Sequence, residues 1–481
     1  MLAYEELKGG NDRQIRYRPR RYAAARLFPT SSPRVRVRDA RYRLQDISLG
    51  GLAAMSSQPN SEIPAIGEQV SLVLHQSGLP IFESMAKVCR AESTVFGTKI
   101  AFCFVDQHVE FDELLTRNAE AQIAARFDRL SSHTVRAVPV EYRAFCADVL
   151  SVLKGYRQLL DQNGAIASEF GGTLDRIAAF RACESQMVQQ WRKLWLLGNE
   201  LTASFEDDRE LRDAAKEYTE LVLTPELRLG AIWDRSYAKP MGYPGDFHIM
   251  NQVYDWQQVG SDTYGMLMHR IGLEVAECIG TRMEVVAAHI GLTMQQTCGR
   301  PARFLSLGSG PAREVETALK GRRENEGACE FTLVDQEEEA LRYAHAKTFP
   351  FVQKSRGQVK VSCLHMSFTD ILRGSEAIEN MAPQDLIYSV GLLDYLTDAR
   401  CKALVRRLYK TLAPSGQLII GNMNACSDSN YWPMEYITDW SLHYRDHMTM
   451  IQWADGLPGA EAWTETERTG RVRLLFVRKP G

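Results

Sequence analysis

The sequence predicts a multidomain α+β and α/β protein with a small antiparallel β-barrel, a helical middle region and a C-terminal doubly wound sheet. Residues from about 16 to 108 alternate apolar and polar side chains with period two, which is typical of half-buried strands. From about 110 to 295 the apolar period becomes helical. Beyond Arg303 short apolar strands alternate with helical stretches, as in a parallel sheet. We therefore predict domains at 13–110, 111–295 and 296–481.

Composition narrows the class of protein. The 481 residues suggest about three domains, and 45% hydrophobic content excludes a disordered chain or a small disulfide-stapled fold. No apolar run approaches the roughly 18 residues that a membrane span needs, and the N-terminus lacks an apolar secretory segment. We expect a cytoplasmic protein without a membrane span. The ten cysteines form no CxxC pair and lie near no histidine pair at zinc-ligand spacing, so we expect reduced thiols and no metal.

Two different periodicities of apolar residues predict the barrel and the helical region. Arg34-Val-Arg-Val-Arg38 alternates, as do parts of 70–74 and 99–105, and Gly/Pro/Ser clusters such as 56–61 separate these stretches. In the middle region Tyr142, Phe145 and Val149 follow an i, i+3, i+7 stripe. Such a stripe indicates a packing face between helices rather than a cofactor site.

The C-terminal region carries a glycine turn between a strand and a helix. The apolar stretch 304–307 runs into Gly308 and Gly310, and glycines there let the backbone approach a ligand closely. A second apolar stretch ends at Asp335, whose carboxylate can accept hydrogen bonds from both ribose hydroxyls of a nucleoside. Position 313 is Arg, so the G-x-G-x-x-G run of dinucleotide sites is absent. The pattern favours a single nucleoside with a short tail over NAD.

This ordered set resembles class I S-adenosylmethionine-dependent methyltransferases, which have a Rossmann-like sheet. LSLGSGPA (305–312) matches their first motif, LVDQ (333–336) their ribose-binding acid, and DLIYSVGLLDYL (385–396) their fourth motif. LAPSGQLII (412–420) matches the turn before their fifth strand, and the stretches 463–468 and 471–478 match the terminal hairpin. The resemblance covers about 300–480 and implies S-adenosylmethionine (SAM) as cofactor.

The same resemblance implies a set of cofactor-binding residues. The glycine turn would line the methionine moiety, Asp335 would hold the ribose, and Ser367 and Phe368 would flank the adenine. The full implied set is Gly308, Ser309, Gly310, Asp335, Gln336, Ser367, Phe368, Ser389 and Gly391.

A dense segment precedes the sheet. Residues 235–246 combine two Gly, two Pro and two Tyr with a Lys and an Asp, which suits either a rigid turn or a functional loop. With GLLDYL (391–396) and residues 421–445, this K-P-x-G-Y-P-G-D segment is similar to bacterial methyltransferases related to the enzyme that makes 3-hydroxypalmitic acid methyl ester. That resemblance covers about 130–480 and implies a small acyl or carboxylate, fatty-acid-like acceptor.

The chemistry of the acceptor decides which side chains it needs. A carboxylate is already a nucleophile at neutral pH and needs only a cationic or hydrogen-bonding clamp, for which Lys239, Tyr243 and Arg445 are candidates. A hydroxyl or amine acceptor needs a general base, and the candidates are Asp246, Asp394 and His365. For each of these residues a salt bridge or a capping role is the alternative.

The N-terminal region is rich in arginine. Eleven arginines and one acid lie between Arg13 and Arg43, and those in 34–38 alternate with Val as on the solvent face of a strand. The others precede Asp46-Ile-Ser-Leu-Gly-Gly51. An arginine cluster before such a D-x-S-x-G-G stretch resembles the PilZ domain, which binds cyclic di-GMP. The resemblance implies a ligand set of Arg16, Arg20, Arg21, Arg26, Asp46, Ser48 and Gly51, with the register Arg16/Arg20 or Arg21/Arg26 left open.

Together these features predict a SAM-dependent methyltransferase that is regulated by cyclic di-GMP and acts on a small acyl acceptor. The alternative is a non-catalytic cyclic di-GMP effector or signalling adaptor that binds SAM or S-adenosylhomocysteine as a structural or sensing ligand, because Ser306 and Ser367 stand where the family usually has acids. Binding of nucleic acid through the arginines is disfavoured by the net charge of −3. An oligomer stays open.

Overall fold

The computed structural model describes residues 4–7, 16–28, 32–56, 63–94, 97–131, 138–169, 172, 175–297, 299–323, 327–367, 370 and 375–481. The chain forms two compact units. The first is Met1–Arg136 with Ala238–Pro244, and the second is Ala137–Tyr237 with Gly245–Gly481. The predicted boundaries near 110 and 295 stay predictions.

The first unit is mostly β-structure. Its described elements are β1 (Tyr4–Leu7), β2 (Arg16–Pro19), β3 (Tyr22–Ala23), α1 (Ala24–Leu27), β4 (Arg34–Val37), β5 (Ala40–Ser48), β6 (Gly51–Met55), β7 (Gln69–Gln76), β8 (Leu79–Thr94), β9 (Gly97–Phe104) and α2 (Phe111–Ser131). The sheet runs β3-β5-β4-β7-β8-β9-β6, and pairing of β5 with β6 closes six of these strands into an antiparallel barrel. The predicted barrel is thereby confirmed.

Apolar and charged side chains alternate along β4, and the apolar ones pack in the core of the barrel. Val35 and Val37 are fully buried in its core, whereas Arg34 and Arg36 are exposed. The period-two pattern therefore places these arginines on the solvent face, as the sequence predicted.

The second unit contains the long helices and the second sheet. Its described elements are α3 (Val140–Glu169), α4 (Arg176–Ala203), α5 (Arg209–Val222), α6 (Thr224–Leu227), α7 (Ala231–Ala238), α8 (Phe247–Asp255), α9 (Thr263–Gln296), β10 (Ala302–Leu307), α10 (Arg313–Gly321), β11 (Cys329–Asp335), α11 (Glu338–Lys354), β12 (Val359–His365), α12 (Glu376–Glu379), β13 (Gln384–Ser389), α13 (Asp398–Thr411), β14 (Leu412–Met423), α14 (His447–Ile451), β15 (Glu461–Thr466) and β16 (Val472–Arg478). The predicted helical middle is confirmed. On α3, Tyr142, Phe145 and Val149 are buried as the stripe predicted.

The sheet of the second unit is doubly wound. Its order is β12-β11-β10-β13-β14-β16-β15, with β10 to β14 parallel and β16 antiparallel to β14. From β10 the sheet is extended to β11 and β12 on one side and to β13 and β14 on the other. Ligands of such sheets bind outside the carboxyl ends of the strands at the switch point, which here lies between β10 and β13. The predicted C-terminal sheet and its terminal hairpin are confirmed.

Three further observations concern the described residues as a whole. None of their helices is long and apolar enough to cross a lipid bilayer. Their nine cysteines are free thiols, and they contain no group of three or more His, Cys, Asp or Glu side chains arranged to hold a metal ion.

Helix α4 packs against a fully buried tryptophan. A Cβ atom added at Gly198 would lie 2.4 Å from Cδ2 of Trp432. The Trp432 Nε1 donates a hydrogen bond of 2.9 Å to the buried Tyr142 hydroxyl, so the ring cannot move aside without losing that bond. Close packing against Trp432 therefore requires a glycine at position 198.

We expect Gly198→Ala to destabilise the protein by about 1–3 kcal/mol, because the new methyl group overpacks the Trp432 ring. The control is Gly155→Ala on α3, where a Cβ would meet nothing within 4 Å. It should stabilise the helix by about 0.5–1 kcal/mol. Urea unfolding of the two variants measures both changes. Equal midpoints for the two variants would contradict the packing argument.

Candidate functional site

A glycine turn joins β10 to α10 at the carboxyl edge of the sheet. Gly308 and Gly310 have φ of +64° and +50°, in the left-handed region that favours glycine. The backbone N–H groups of Gly308 and Ser309 donate to the Val334 carbonyl at 2.9 and 3.1 Å. A Cβ at Gly310 would meet nothing within 4 Å, so this part of the turn borders open space.

The Asp335 carboxylate ties this turn to the end of β11. Its Oδ2 accepts a 2.8 Å hydrogen bond from the Gly310 N–H, and its Oδ1 accepts one of 2.9 Å from the Glu337 N–H. Burial raises the pKa of Asp335, and the backbone N–H groups that donate to it oppose that rise. A carboxylate offers about four lone-pair sites, so the group can still accept a hydrogen bond from a hydroxyl.

Two buried polar atoms beside this carboxylate lack partners. Among the described residues, nothing forms a hydrogen bond with Ser309 Oγ or Gln336 Oε1. Unpaired buried polar atoms are costly, and such atoms often point to a ligand that pairs them. A hydroxyl, an amide oxygen and a carboxylate at one edge fit the polar groups of a nucleoside. The residues present therefore fit the implied cofactor.

The remaining predicted cofactor residues lie on the neighbouring strands. Ser367 follows β12, and its Oγ donates to Asp370 Oδ2 at 2.6 Å, while Phe368 lies outside the described residues. Ser389 Oγ at the end of β13 donates to the Leu307 carbonyl at 2.9 Å and so joins β13 to β10. The structure brings the other predicted residues to the same edge of the sheet.

A buried arginine that the sequence analysis did not select also reaches this edge. Arg282 of α9 is 5% exposed, and a Cβ at Gly391 would lie 2.8 Å from its Nη2. A Cβ at Gly308 would lie 3.5 Å from Cβ of Leu392, the residue after Gly391. The glycine turn and the Arg282 guanidinium therefore border the same region. The available signal in the sequence was a charged residue on an apolar helical stripe, four residues from both Cys278 and Val286.

Asp394 lies next to this guanidinium. Burial raises the pKa of Asp394 to about 6, against the opposing effect of Arg282. Its Oδ1 accepts a 2.6 Å hydrogen bond from the Met423 N–H, and its Oδ2 lies 4.0 Å from Arg282 Nη1. One oxygen thus has a backbone partner, while the other faces the arginine beyond hydrogen-bond distance.

Two of the predicted catalytic residues have structural partners. Arg445 donates to Asp398 Oδ1 at 2.7 Å and Asn422 Oδ1 at 2.7 Å, and also to the carbonyls of Leu393 and Leu396. These bonds hold the segment that follows β13. Arg445 is thus bonded to the chain on each of its three nitrogens.

Asp246 caps helix α8. Its Oδ1 accepts from the backbone N–H groups of His248 and Ile249 at 3.0 and 3.1 Å, and Arg235 forms an ion pair with it at 2.8 Å. This is the capping and salt-bridged arrangement that the sequence analysis gave as the alternative.

Lys239 and Tyr243 belong to a turn in the first unit. The Gly242 N–H donates to the Lys239 carbonyl at 2.8 Å, and a Cβ at Gly242 would lie 2.1 Å from Gln45 Oε1 in β5. The chain returns to the second unit at Gly245, where a Cβ would lie 2.2 Å from Cζ2 of Trp440. The segment 238–245 is thus shared by the two units.

Trp440 contacts both Gly245 and the edge of the sheet. Its Nε1 donates a 3.0 Å hydrogen bond to the hydroxyl of Tyr395, the residue after Asp394.

His365, the remaining candidate base, is exposed, and its Nε2 lies 2.9 Å from the Gln336 carbonyl.

In the barrel, pairing of β3 with β5 brings arginine to the D-x-S stretch. Arg21 forms an ion pair with Asp46, and Arg20 lies over the Tyr22 ring at 5.5 Å. The buried Ser48 Oγ donates to the Gly51 carbonyl at 3.1 Å. Arg26 is exposed on α1, and the side chain of Arg16 lies outside the described part of the structure.

Comparison with known proteins finds likeness in structure only. No protein-family model and no curated protein match this sequence. Solved neighbours include a possible exported protein from Bordetella parapertussis, at 16% identity over 63% of this chain and 97% of that one, with a TM-score of 0.39.

Several other neighbours are methyltransferases. Magnesium protoporphyrin IX methyltransferase from Synechocystis with bound SAM shares 9% identity over 43% of this chain and 83% of that one, at a TM-score of 0.31. The N-methyltransferase NodS from Bradyrhizobium japonicum in complex with S-adenosylhomocysteine shares 18% identity over 41% and 88%, at a TM-score of 0.27.

Glu314, in the first turn of α10, supplies a test of the electrostatics beneath the site. Burial raises its pKa to about 7, and it accepts a 3.0 Å hydrogen bond from the Tyr388 hydroxyl. A carboxyl whose folded pKa lies above its unfolded value binds more protons when folded. Its contribution to stability is therefore present at low pH and is lost as the pH rises from about 4.5 to about 7.

We expect Glu314→Gln to gain stability relative to the wild type between pH 5 and pH 8, by up to about 3 kcal/mol. The amide keeps an acceptor for Tyr388 and has no proton to lose. Urea unfolding at the two pH values measures the change. Glu284→Gln, at an exposed carboxylate on α9, should follow the wild type. A constant difference between Glu314→Gln and wild type would contradict the buried carboxyl.

Proposed function

We propose that the chain is a SAM-dependent methyltransferase that acts on a small acyl carboxylate and is regulated by cyclic di-GMP. The observation that carries the proposal is the carboxyl edge of the second sheet. A bare glycine turn, a buried carboxylate and two unpaired polar side chains meet there at the switch point. The methyltransferase resemblance of the motifs supports the same cofactor.

Each part of that edge has a proposed task in holding the cofactor. The turn admits the methionine chain at Gly308 and Gly310, since neither residue carries a side chain and a Cβ at Gly310 would meet nothing within 4 Å. Asp335 accepts hydrogen bonds from the ribose hydroxyls. Ser309 Oγ and Gln336 Oε1 gain partners from polar atoms of the ligand, which removes the cost of leaving them unpaired.

When bound, SAM supplies an electrophilic methyl group. A carboxylate acceptor is ionised at neutral pH, so the protein needs to align it and has no proton to remove. From the sequence alone, Lys239 and Tyr243 stay the candidate clamp for that carboxylate. Because Arg445 and Asp246 are bonded to the surrounding chain, we propose that they position the segments on which the site is built.

Regulation is proposed through the barrel. Arg21 and Asp46 form an ion pair beside the β5–β6 turn, and the adjacent Gln45 packs against Gly242 within the first unit. The chain continues from Gly242 to Gly245, which packs against Trp440 within the second unit. A ligand that changes the position of β5 would thereby bias the segment that leads to Tyr395.

The test of the enzymatic function is methyl transfer from labelled SAM to decanoate, with and without cyclic di-GMP. A labelled ester whose rate of formation responds to cyclic di-GMP supports the proposal. Binding of both ligands without turnover on decanoate or on a total lipid extract would favour the effector or adaptor function instead.

We expect Gly310→Arg to abolish S-adenosylhomocysteine binding in calorimetry, because the new side chain fills the open space beside the turn. The matched control is Gly357→Arg, since Gly357 also has a positive φ and nothing within 4 Å of a Cβ. That variant lies in the turn after α11 and should bind as the wild type does. Loss of binding in both variants would indicate a general effect of the added charge and strain.

We expect Arg21→Ala to weaken cyclic di-GMP binding by about tenfold or more, because a charge-assisted bond to phosphate is lost. Arg36→Ala removes an equal charge from the exposed face of β4 and should leave affinity unchanged. Equilibrium dialysis with the labelled nucleotide measures both. An equal loss in the two variants would mean that the arginines attract polyanions without a defined site.

A further inference from the structure

The buried guanidinium of Arg282 in the second unit has no hydrogen-bond partner among the described residues. Arg445 and Arg471 are as buried as Arg282, and every nitrogen of those two guanidinium groups donates to the protein. Arg282 donates to none of the described residues, and its one ion-pair partner, Asp394, lies at 4.0 Å. A desolvated charge with unpaired donors is costly unless a ligand pairs it.

The Arg282 guanidinium lies against Gly391, one residue before the residue that borders the glycine turn. Residue 391 is a glycine, and a Cβ there would lie 2.8 Å from Nη2, so any larger residue would displace the guanidinium. Leu392 continues from Gly391 to contact distance of Gly308. The guanidinium thus lies beside Gly391, and the next residue along the chain borders Gly308, to which the methionine moiety is assigned.

Arg282 and Asp394 present opposite charges side by side. The planar guanidinium matches a carboxylate in a bidentate arrangement. No residue in the described part of the chain donates a hydrogen bond to Asp394 Oδ2, whereas its Oδ1 already accepts from the Met423 N–H at 2.6 Å. A ligand group with a carboxylate and an ammonium on neighbouring atoms would satisfy both residues, and an α-amino acid has that arrangement.

We propose that Arg282 and Asp394 bind the amino-acid head of the cofactor, with the carboxylate on the arginine and the ammonium on the aspartate. This inference rests on the proposed function. It reassigns Asp394 from a candidate base to a cofactor-binding residue, and it explains why position 391 is a glycine. No acceptor carboxylate is needed to pair Arg282.

Three related ligands separate the two charges. S-adenosylhomocysteine has both, its decarboxylated form has only the ammonium, and methylthioadenosine has neither. Calorimetry with wild type, Arg282→Met and Asp394→Asn gives the ratio of affinities for each pair of ligands. We expect Arg282→Met to reduce the preference for S-adenosylhomocysteine over its decarboxylated form at least tenfold, and Asp394→Asn to reduce the preference for the decarboxylated form over methylthioadenosine.

Folding is controlled separately. Because Arg282 donates no hydrogen bond, Arg282→Met should unfold at the wild-type urea concentration or above it, whereas Arg471→Met, which loses every donor of its guanidinium, should be destabilised. Arg282→Lys keeps a charge without the planar fork and should give an intermediate affinity ratio. It serves as the second variant if the methionine variant folds poorly.

The outcomes decide between the possibilities. Unchanged ligand ratios in Arg282→Met and Arg282→Lys, with wild-type binding of S-adenosylhomocysteine, overturn the inference and leave the proposed function standing. An unchanged ratio accompanied by weaker binding of decanoate would assign the arginine to the acceptor and also overturns it. A wild-type protein that binds none of the three nucleosides contradicts the proposed function and the inference together.

Discussion

The Asp335 carboxylate is the constraint on which the candidate site depends. Its two oxygens accept the N–H groups of Gly310 and Glu337, so one side chain fixes the turn after β10 and the turn after β11. Ser309 and Gln336 lie directly beside these bonded positions, and their unpaired atoms are held at the same edge as a result. An Ala at 335 would remove both acceptors and leave both turns without this link.

Local pattern was sufficient to predict the strands and the glycine turn. The stretches 304–307 and 331–334 are apolar and bounded by charged or glycine residues, and β10 and β11 coincide with them to within three residues at either end. Alternation alone separated Arg34 and Arg36 from the buried valines of β4. In these cases the physical cause lies within a few residues of the sequence, namely the side on which each side chain leaves the backbone.

Residue roles that depend on tertiary partners were not predictable in this way. Arg282 and Arg445 are both buried arginines, and the sequence does not distinguish them. The segment 393–398 packs around Arg445, whose guanidinium is hydrogen-bonded throughout, whereas α9 packs beside Gly391 and leaves the Arg282 guanidinium without a hydrogen bond to the described residues. Asp246 is similar, because its capping role follows from where α8 begins. The residue types can be read from the sequence, but contacts between distant segments decide what each charge does.

The segment 238–244 is synthesised long after the other residues of its unit. It belongs to the unit whose other residues end at Arg136, so it leaves the ribosome about 100 residues after the barrel that receives it. During synthesis the strands of the barrel are therefore complete before the strip that packs against Gln45 has been made, and this strip follows only after α7. Cutting the gene after residue 136 would produce a barrel that lacks this strip. A continuous piece that holds the whole first unit therefore also contains residues 137–237 of the second unit.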